Sequence, residues 1–197
     1  MRVSSLAFAA AIVLAACGGA AQPAATSAPA TATPTTAPTV AATAAPTATP
    51  ATKLTFTADL KPESEVPPVP NDEKVGTGKA TVTFDLTRDA TGKITAAKAS
   101  ANFTLTAFPV TTAILLAHIH GPDAPAGVVA SPKFGFKTDS DNPILLTTGG
   151  TTYSKADVTI TDVELLQKMI DDPSKFYFNV HSKLNPGGVA RGQMTKG

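Results

Sequence analysis

The feature that most constrains this chain is a strict alternation of apolar and polar residues over 80–86. Ala, Val, Phe and Leu occupy every second position there, and Thr, Thr and Asp stand between them. Successive side chains of a β-strand point to opposite faces, so a period of two is typical of a strand with one buried face. We therefore expect a sheet with a core on one side.

Similar runs elsewhere predict further strands, and turn-forming Gly and Pro residues separate them. The predicted strands cover residues 54–60, 78–86, 94–106, 113–119 and 175–181, with a short one at 190–194. Several short strands with closely spaced turn signals favour an all-β domain, a Greek-key β-sandwich or barrel.

One segment predicts a short helix instead. Thr161 and Glu164 have the spacing of a capping box, in which Thr161 would be the N-cap. Leu165, Leu166, Met169 and Ile170 then follow at helical spacing, and Pro173 lies just beyond the expected end. We expect this helix to pack on the sheet.

The N-terminal residues 1–16 have the layout of a secretory signal peptide, with Arg2 before a short apolar run. The run is too short to span a bilayer, which needs about 20 apolar residues. It ends in Leu-Ala-Ala-Cys, which resembles the lipobox of bacterial lipoproteins, and Cys17 is the only cysteine. We expect Cys17 to be lipidated after cleavage; the alternative is an ordinary signal peptide followed by a chance cysteine.

After Cys17, residues up to 52 are almost entirely Ala, Thr, Pro, Ser, Gly and Val, without a charge. Such a segment lacks the large apolar side chains needed to offset the entropy of ordering, so residues 17–52 are predicted to form a disordered tether. Charges and alternating apolar residues begin at Lys53, and we expect one β-domain over residues 53–197.

The charge balance is nearly even, with 16 Lys and Arg against 15 Asp and Glu. It gives no electrostatic reason to expect a nucleic-acid partner. The domain contains no nucleophile elbow, phosphate-binding loop or CxxC pair, and Gly187-Gly188 is read as a turn. We therefore expect a protein that is not an enzyme.

The three histidines of the chain lie in two short motifs, Ala-His-Ile-His-Gly at 117–121 and Phe-Asn-Val-His-Ser at 178–182. On a strand, His118 and His120 would share one face, and His181 would lie opposite the apolar Phe178 and Val180. Neutral imidazoles suit copper or zinc, and three of them leave an open coordination position. The alternative is that the histidines hydrogen-bond backbone groups of loops. Asp123, close after His120, could orient an imidazole or complete a coordination shell.

Several further motifs accompany the histidines over nearly the whole domain. They lie at residues 58–60, 65–69, 76–80, 117–122, 176–182 and 185–193, the last reading Asn-Pro-Gly-Gly-Val-Ala-Arg-Gly-Gln. Together they resemble the CHRD domain, a family found in chordin and in bacterial exported proteins. The resemblance implies a β-rich extracellular module without an established general activity.

A weaker likeness connects the His-x-His pair to the copper/zinc superoxide dismutases, which are also Greek-key sandwiches. The fold is therefore expected to be immunoglobulin-like or superoxide-dismutase-like. That enzyme uses more histidines than the three present here, so dismutase activity is not expected.

Other residues of the motifs are predicted to have structural roles. Glu65 and Arg191 are candidates for a partly buried ion pair between the first and last strand regions; the alternative is two separate solvated charges. Asn179 and Asn185 would hold the turn that contains Gly187 and Gly188.

Two functions remain open from the sequence. The first is a lipid-anchored module on the outer side of a membrane that binds an envelope protein or a glycan. The second is a copper- or zinc-binding or redox-protective envelope protein that uses His118, His120 and His181.

Overall fold

The computed structural model describes residues 52–197, and the predictions for the signal peptide, Cys17 and the tether lie outside this range. The described part is an all-β sandwich with one α-helix, which confirms the predicted fold class. The strands are β1 Lys53–Leu60, β2 Thr77–Arg88, β3 Ile94–Thr106, β4 Ala113–His120, β5 Pro132–Lys137, β6 Ile144–Leu145, β7 Thr151–Ile160, β8 Tyr177–Ser182, β9 Ala190–Gln193 and β10 Thr195–Lys196.

The strands form two antiparallel sheets. The first has the order β10-β1-β2-β3-β7, and the second has the order β5-β4-β8-β9, with β6 paired to one end of β4. The chain crosses between sheets after β3, before β7, before β8 and after β9. Each sheet is therefore completed by strands that are distant in sequence.

The core lies between the two sheets. In the first sheet, the predicted apolar face of β2 is fully buried, with Val82 and Phe84 both 0% exposed. Phe103 of that sheet lies 6.1 Å from Phe178 of the second sheet, measured between ring centroids. The outer face of the first sheet is rich in threonine, as expected for a sheet with one solvated side.

The helix α1 spans Val163–Asp171 and buries Leu166 and Met169, as its spacing predicts. The predicted cap was wrong by one residue: Asp162, not Thr161, is the N-cap, and its carboxylate accepts a hydrogen bond of 2.8 Å from the Leu165 amide. Asp is as good an N-cap residue as Thr, and Asp162 lies three residues before the Leu165 amide, which has no acceptor within the helix. Within residues 52–197 no helix is long and apolar enough to cross a membrane.

Four strands of the structure were not predicted, and one was predicted too early. The unpredicted strands are β5 and β7 and the two-residue strands β6 and β10, and β8 begins at Tyr177 rather than at Lys175. Residues Pro173–Lys175 form a 3-10 turn instead, and Pro173 favours that turn because its φ is fixed in the helical range.

Candidate metal centre

The histidines lie on the outer face of the second sheet, opposite the core. In the antiparallel pairing of β4 with β8, His118 stands across from Asn179 and His120 across from Tyr177. On the next strand, Arg191 stands across from Asn179. Because side chains alternate along each strand, all these polar groups point to the same side, and Ile119 and Phe178 point to the core.

Loops cover this polar face, so that it is buried as well. His120 Nδ1 lies 2.8 Å from the carbonyl oxygen of Ala130, and His181 Nδ1 lies 2.9 Å from that of Pro186. Arg191 donates a hydrogen bond of 3.0 Å to the Val128 carbonyl. Every residue of β8 is consequently buried, including the face that the sequence marks as less apolar.

The structure brings the three histidines of the two motifs together. One ring nitrogen from each of His118, His120 and His181 lies within 4.8 Å of the others. The closest pair is His118 Nδ1 and His120 Nε2, at 3.1 Å. Four imidazole nitrogens around one zinc ion, each about 2.0–2.1 Å away, are separated by about 3.3 Å. To coordinate one ion, nitrogens that are up to 4.8 Å apart would have to approach each other by up to about 1.5 Å.

The hydrogen bonds to the loops fix which nitrogens carry protons. A carbonyl oxygen only accepts, so Nδ1 of His120 and of His181 must each donate, and Nε2 of each neutral ring keeps its lone pair. The Nε2 atom of His181 is buried and has no hydrogen-bond partner among the described residues. This is the arrangement that outer hydrogen bonds impose on histidines that bind metals.

Burial also keeps the imidazoles neutral. Burial, together with the two neighbouring imidazoles, lowers the pKa of His118 to about 3. Burial likewise lowers the pKa of His120 to about 4, although its hydrogen bond to Ala130 opposes the shift. The pKa of His181 is lowered by burial too, partly offset by its bond to Pro186. At neutral pH the cluster therefore presents uncharged rings, the form that binds metal ions.

A stack of three side chains stands beside the cluster. The rings of His120 and Tyr177 are nearly parallel, at 9°, with centroids 4.7 Å apart. The guanidinium carbon of Arg191 lies 3.8 Å from the centroid of the Tyr177 ring. Since β8 lies between β4 and β9, Tyr177 lies between the imidazole and the guanidinium.

Glu65 and Arg191 do not form the predicted contact ion pair, and they are not separate solvated charges either. Their exposed fractions are only 6% and 2%, and no salt bridge joins them. Burial raises the pKa of Glu65 to about 7, although the charge of Arg191 and the amide of Asn179 oppose the shift. Arg191 is held by the loop carbonyl and by Tyr177 instead.

Asn185 holds its turn, but through a partner that the sequence analysis missed. Its side-chain amide donates a hydrogen bond to the buried carboxylate of Glu73, and the Ser182 hydroxyl donates to the same oxygen. The donor–acceptor distance is 2.5 Å in both bonds. The reciprocal amide bonds of Asn185 with Asn71 are 3.0 and 3.2 Å long. Asn71 is the N-cap of the 3-10 turn Asp72–Val75, which contains Glu73, and an Asn followed by two acidic residues is a sequence signal for such a cap.

The remaining predicted residues differ in their environments. Gly188 has φ +142 and leaves no room for a side chain, because a Cβ there would lie 2.5 Å from a carboxylate oxygen of Glu65. Gly187 faces open space. Asp123 does not orient an imidazole: its side chain is 81% exposed and lies 3.8 Å from Lys175.

The buried imidazoles predict a loss of stability in acid for the metal-free protein. Their pKa values lie below the usual 6.5, so the unfolded state binds more protons between about pH 4 and 6.5, and stability falls as the pH drops through that window. The raised pKa of Glu65 has the opposite effect on stability between pH 4.5 and 7, but this is one carboxyl group against three imidazoles. We expect the urea midpoint to be highest near pH 6.5 and to fall towards pH 4.5.

The control for this prediction removes one of the titrating groups. His118→Ala is expected to make the fall in urea midpoint between pH 6.5 and 4.5 shallower, by the contribution of about one proton. An equal midpoint at both pH values in the unsubstituted protein would show that the histidines are not buried as described.

Comparison with known proteins gives one finding for the whole domain. The family model described as the CHRD domain matches residues 56–194. The match includes both histidine motifs and the Arg191 region. A comparison with curated proteins and with solved structures finds no match.

Proposed function

We propose that this chain, which belongs to the CHRD domain family, is a metal-binding module that holds one copper or zinc ion between His118, His120 and His181. The proposal gives the buried polar face of the second sheet a ligand. It assigns no catalysis to the domain.

The observation that carries the proposal is the buried Nε2 atom of His181, which has no hydrogen-bond partner among the described residues. A buried nitrogen lone pair without a donor costs about 1–3 kcal/mol. Its ring is fixed by Pro186, and the ligating nitrogens of the other two histidines lie within 4.8 Å of it. A metal ion at this point would give His181 Nε2 a partner and would replace the hydrogen bond between His118 and His120.

The competing explanation, in which the histidines only hold the loops, accounts for two of them. His120 and His181 each bond a loop carbonyl, but His118 bonds no backbone group in the described part of the chain. Burying a third imidazole against two others lowers its pKa to about 3. Holding the loops therefore does not account for His118, whose ring hydrogen-bonds His120.

We also propose that the domain works outside the cytoplasmic membrane. The support is the lipobox-like sequence before Cys17 and the uncharged Ala/Thr/Pro segment that follows it. A lipid on Cys17 would anchor the chain to a membrane, and the segment up to residue 52 would hold the domain away from the surface. An envelope protein or glycan that receives or delivers the ion would be its partner.

The experiment that tests the metal-binding function measures metal content directly. The chain from Gly18 to Gly197, which contains the whole β-domain and lacks the only thiol, is loaded separately with Cu⁺ and Zn²⁺ and dialysed. Elemental analysis is expected to find about one ion per chain for at least one metal. At a free ion concentration of 100 times the Kd, binding should raise the free energy of unfolding by about 2.7 kcal/mol. Folded protein that stays metal-free after both loadings would contradict the proposal.

A further inference from the structure

We infer that the three-histidine centre is selective for a monovalent ion, Cu⁺, and that Arg191 is the residue that discriminates against divalent ions. This inference rests on the proposed function, because it names the ion that the same site takes. It depends on the charge around the cluster and on the number of its donors.

The donor set carries no negative charge. Within residues 52–197, no carboxylate or thiolate joins the three histidines. Imidazole binds a metal ion in its neutral form, so the three ligands contribute no charge. A bound ion therefore brings its whole charge into a buried site. The cost of desolvating an ion grows with the square of its charge, so a divalent ion is penalised about four times as much as a monovalent ion of similar size.

A fixed positive charge adds to this penalty. The guanidinium of Arg191 is 3.8 Å from the Tyr177 ring centroid, and the same ring is stacked against His120. The cation is thus one aromatic ring away from a ligand of the proposed centre. Its repulsion on a divalent ion is twice that on a monovalent ion.

No nearby carboxylate fully compensates Arg191. The buried carboxyl groups of the described chain are Glu65 and Glu73. Glu73 is engaged with Ser182 and Asn185. Glu65 feels the charge of Arg191, but burial raises its pKa to about 7, so it is largely protonated below that pH. The space beside the cluster therefore keeps a net positive charge in mildly acidic solution, below the pKa of Glu65.

The number of ligands also favours Cu⁺ over Zn²⁺. Cu⁺ is stable with two or three nitrogen donors, whereas Zn²⁺ in proteins is almost always four-coordinate. Here three imidazoles converge, and two of the rings are only 6% exposed. Zinc would have to bring a water molecule as its fourth ligand into the same covered space.

The test compares affinities for Cu⁺ and Zn²⁺ at pH 6.5, measured by competition with chromophoric chelators, without oxygen for Cu⁺. The unsubstituted protein is expected to prefer Cu⁺. Arg191→Met removes the charge, and it is expected to raise the Zn²⁺ affinity about 100-fold and the Cu⁺ affinity about 10-fold, because the repulsion scales with ionic charge. Arg191→Lys retains a cation and is expected to keep the original ratio of affinities.

The outcomes separate the two levels of the proposal. If neither ion binds the unsubstituted protein, the metal-binding function itself is overturned, and the selectivity with it. If an ion binds but Arg191→Met changes both affinities equally, or if Arg191→Lys loses the preference to the same degree as Arg191→Met, charge is not the discriminator and only the selectivity is overturned. Circular dichroism of each variant confirms that the compared proteins are folded.

Discussion

Alanine in place of His118 is expected to lower the affinity for Cu⁺ at least about 100-fold while it leaves the stability of the metal-free protein nearly unchanged. Loss of a residue that merely supports a metal ligand already costs 10–100-fold in affinity, so loss of a ligand should cost more. His118 is the best position for this test, because among the described residues its ring hydrogen-bonds His120 and no backbone group.

The change in stability should be small for a physical reason. The His118 ring is only partly buried, and its pKa of about 3 shows that burial disfavours its charged form. Removing it takes one hydrogen bond from His120 but leaves the donors to the Ala130 and Pro186 carbonyls in place. We expect the free energy of unfolding, measured in urea at pH 7 without metal, to change by about 1 kcal/mol at most.

The matched variants are His120→Ala and His181→Ala. Each of these removes a metal ligand and also the donor to a loop carbonyl, on Ala130 or on Pro186. We expect them to lose metal affinity as His118→Ala does, and to lose about 1–2 kcal/mol of stability in addition. If His118→Ala keeps the affinity of the unsubstituted protein, the three-histidine centre is wrong, whatever the other two variants do.

Alanine at Gly192 is expected to destabilise the domain by about 3 kcal/mol or more, enough to prevent folding of a domain of marginal stability. Gly192 lies in β9, where the second sheet passes β1 of the first. A Cβ at this position would lie 2.1 Å from the carbonyl oxygen of Asp59 and 2.7 Å from its carbonyl carbon. Backbone atoms cannot move aside as a flexible side chain can, so the strands would have to separate.

The consequence would reach the metal centre, because the neighbouring residue is Arg191. Its backbone pairs with Lys61 through hydrogen bonds of 3.0 and 3.3 Å at the same crossing. Separation of the strands would break this pairing and displace the guanidinium from Tyr177. Urea unfolding is the measurement, together with circular dichroism to detect protein that does not fold.

The matched control is Gly187→Ala, in the turn before β9. A Cβ on Gly187 meets nothing within 4 Å, and its φ lies outside the left-handed region. We expect a change within about 0.5 kcal/mol, or a slight gain because alanine lowers the entropy of the unfolded chain. Equal effects at Gly187 and Gly192 would show that the close approach of β9 to β1 is not what constrains Gly192.

The two longer strands that were not predicted, β5 and β7, have weak local signals in the sequence. In β7, four consecutive residues, 154–157, are exposed, because it is an edge strand of the first sheet and lacks a clear alternation. In β5, Pro132 opens the strand and Gly135 interrupts its apolar run, and both residues are unfavourable in strand interiors. These strands are specified by the partners they pair with, β3 and β4, more than by their own residues.

By itself, the sequence determined an all-β fold, sandwich or barrel, and the placement of the histidines on strand faces. The period of two in β2 requires one buried face, and the spacing of His118 and His120 puts both on one side of β4. Only the tertiary structure decided that the face of the second sheet that carries the histidines is buried as well, under loops that bring the carbonyls of Ala130 and Pro186 to the imidazoles. These carbonyls lie only ten and five residues after His120 and His181, but whether a loop folds back over its strand depends on tertiary packing. No local pattern therefore contains the burial, the neutral imidazoles or the position of Arg191 beside Tyr177.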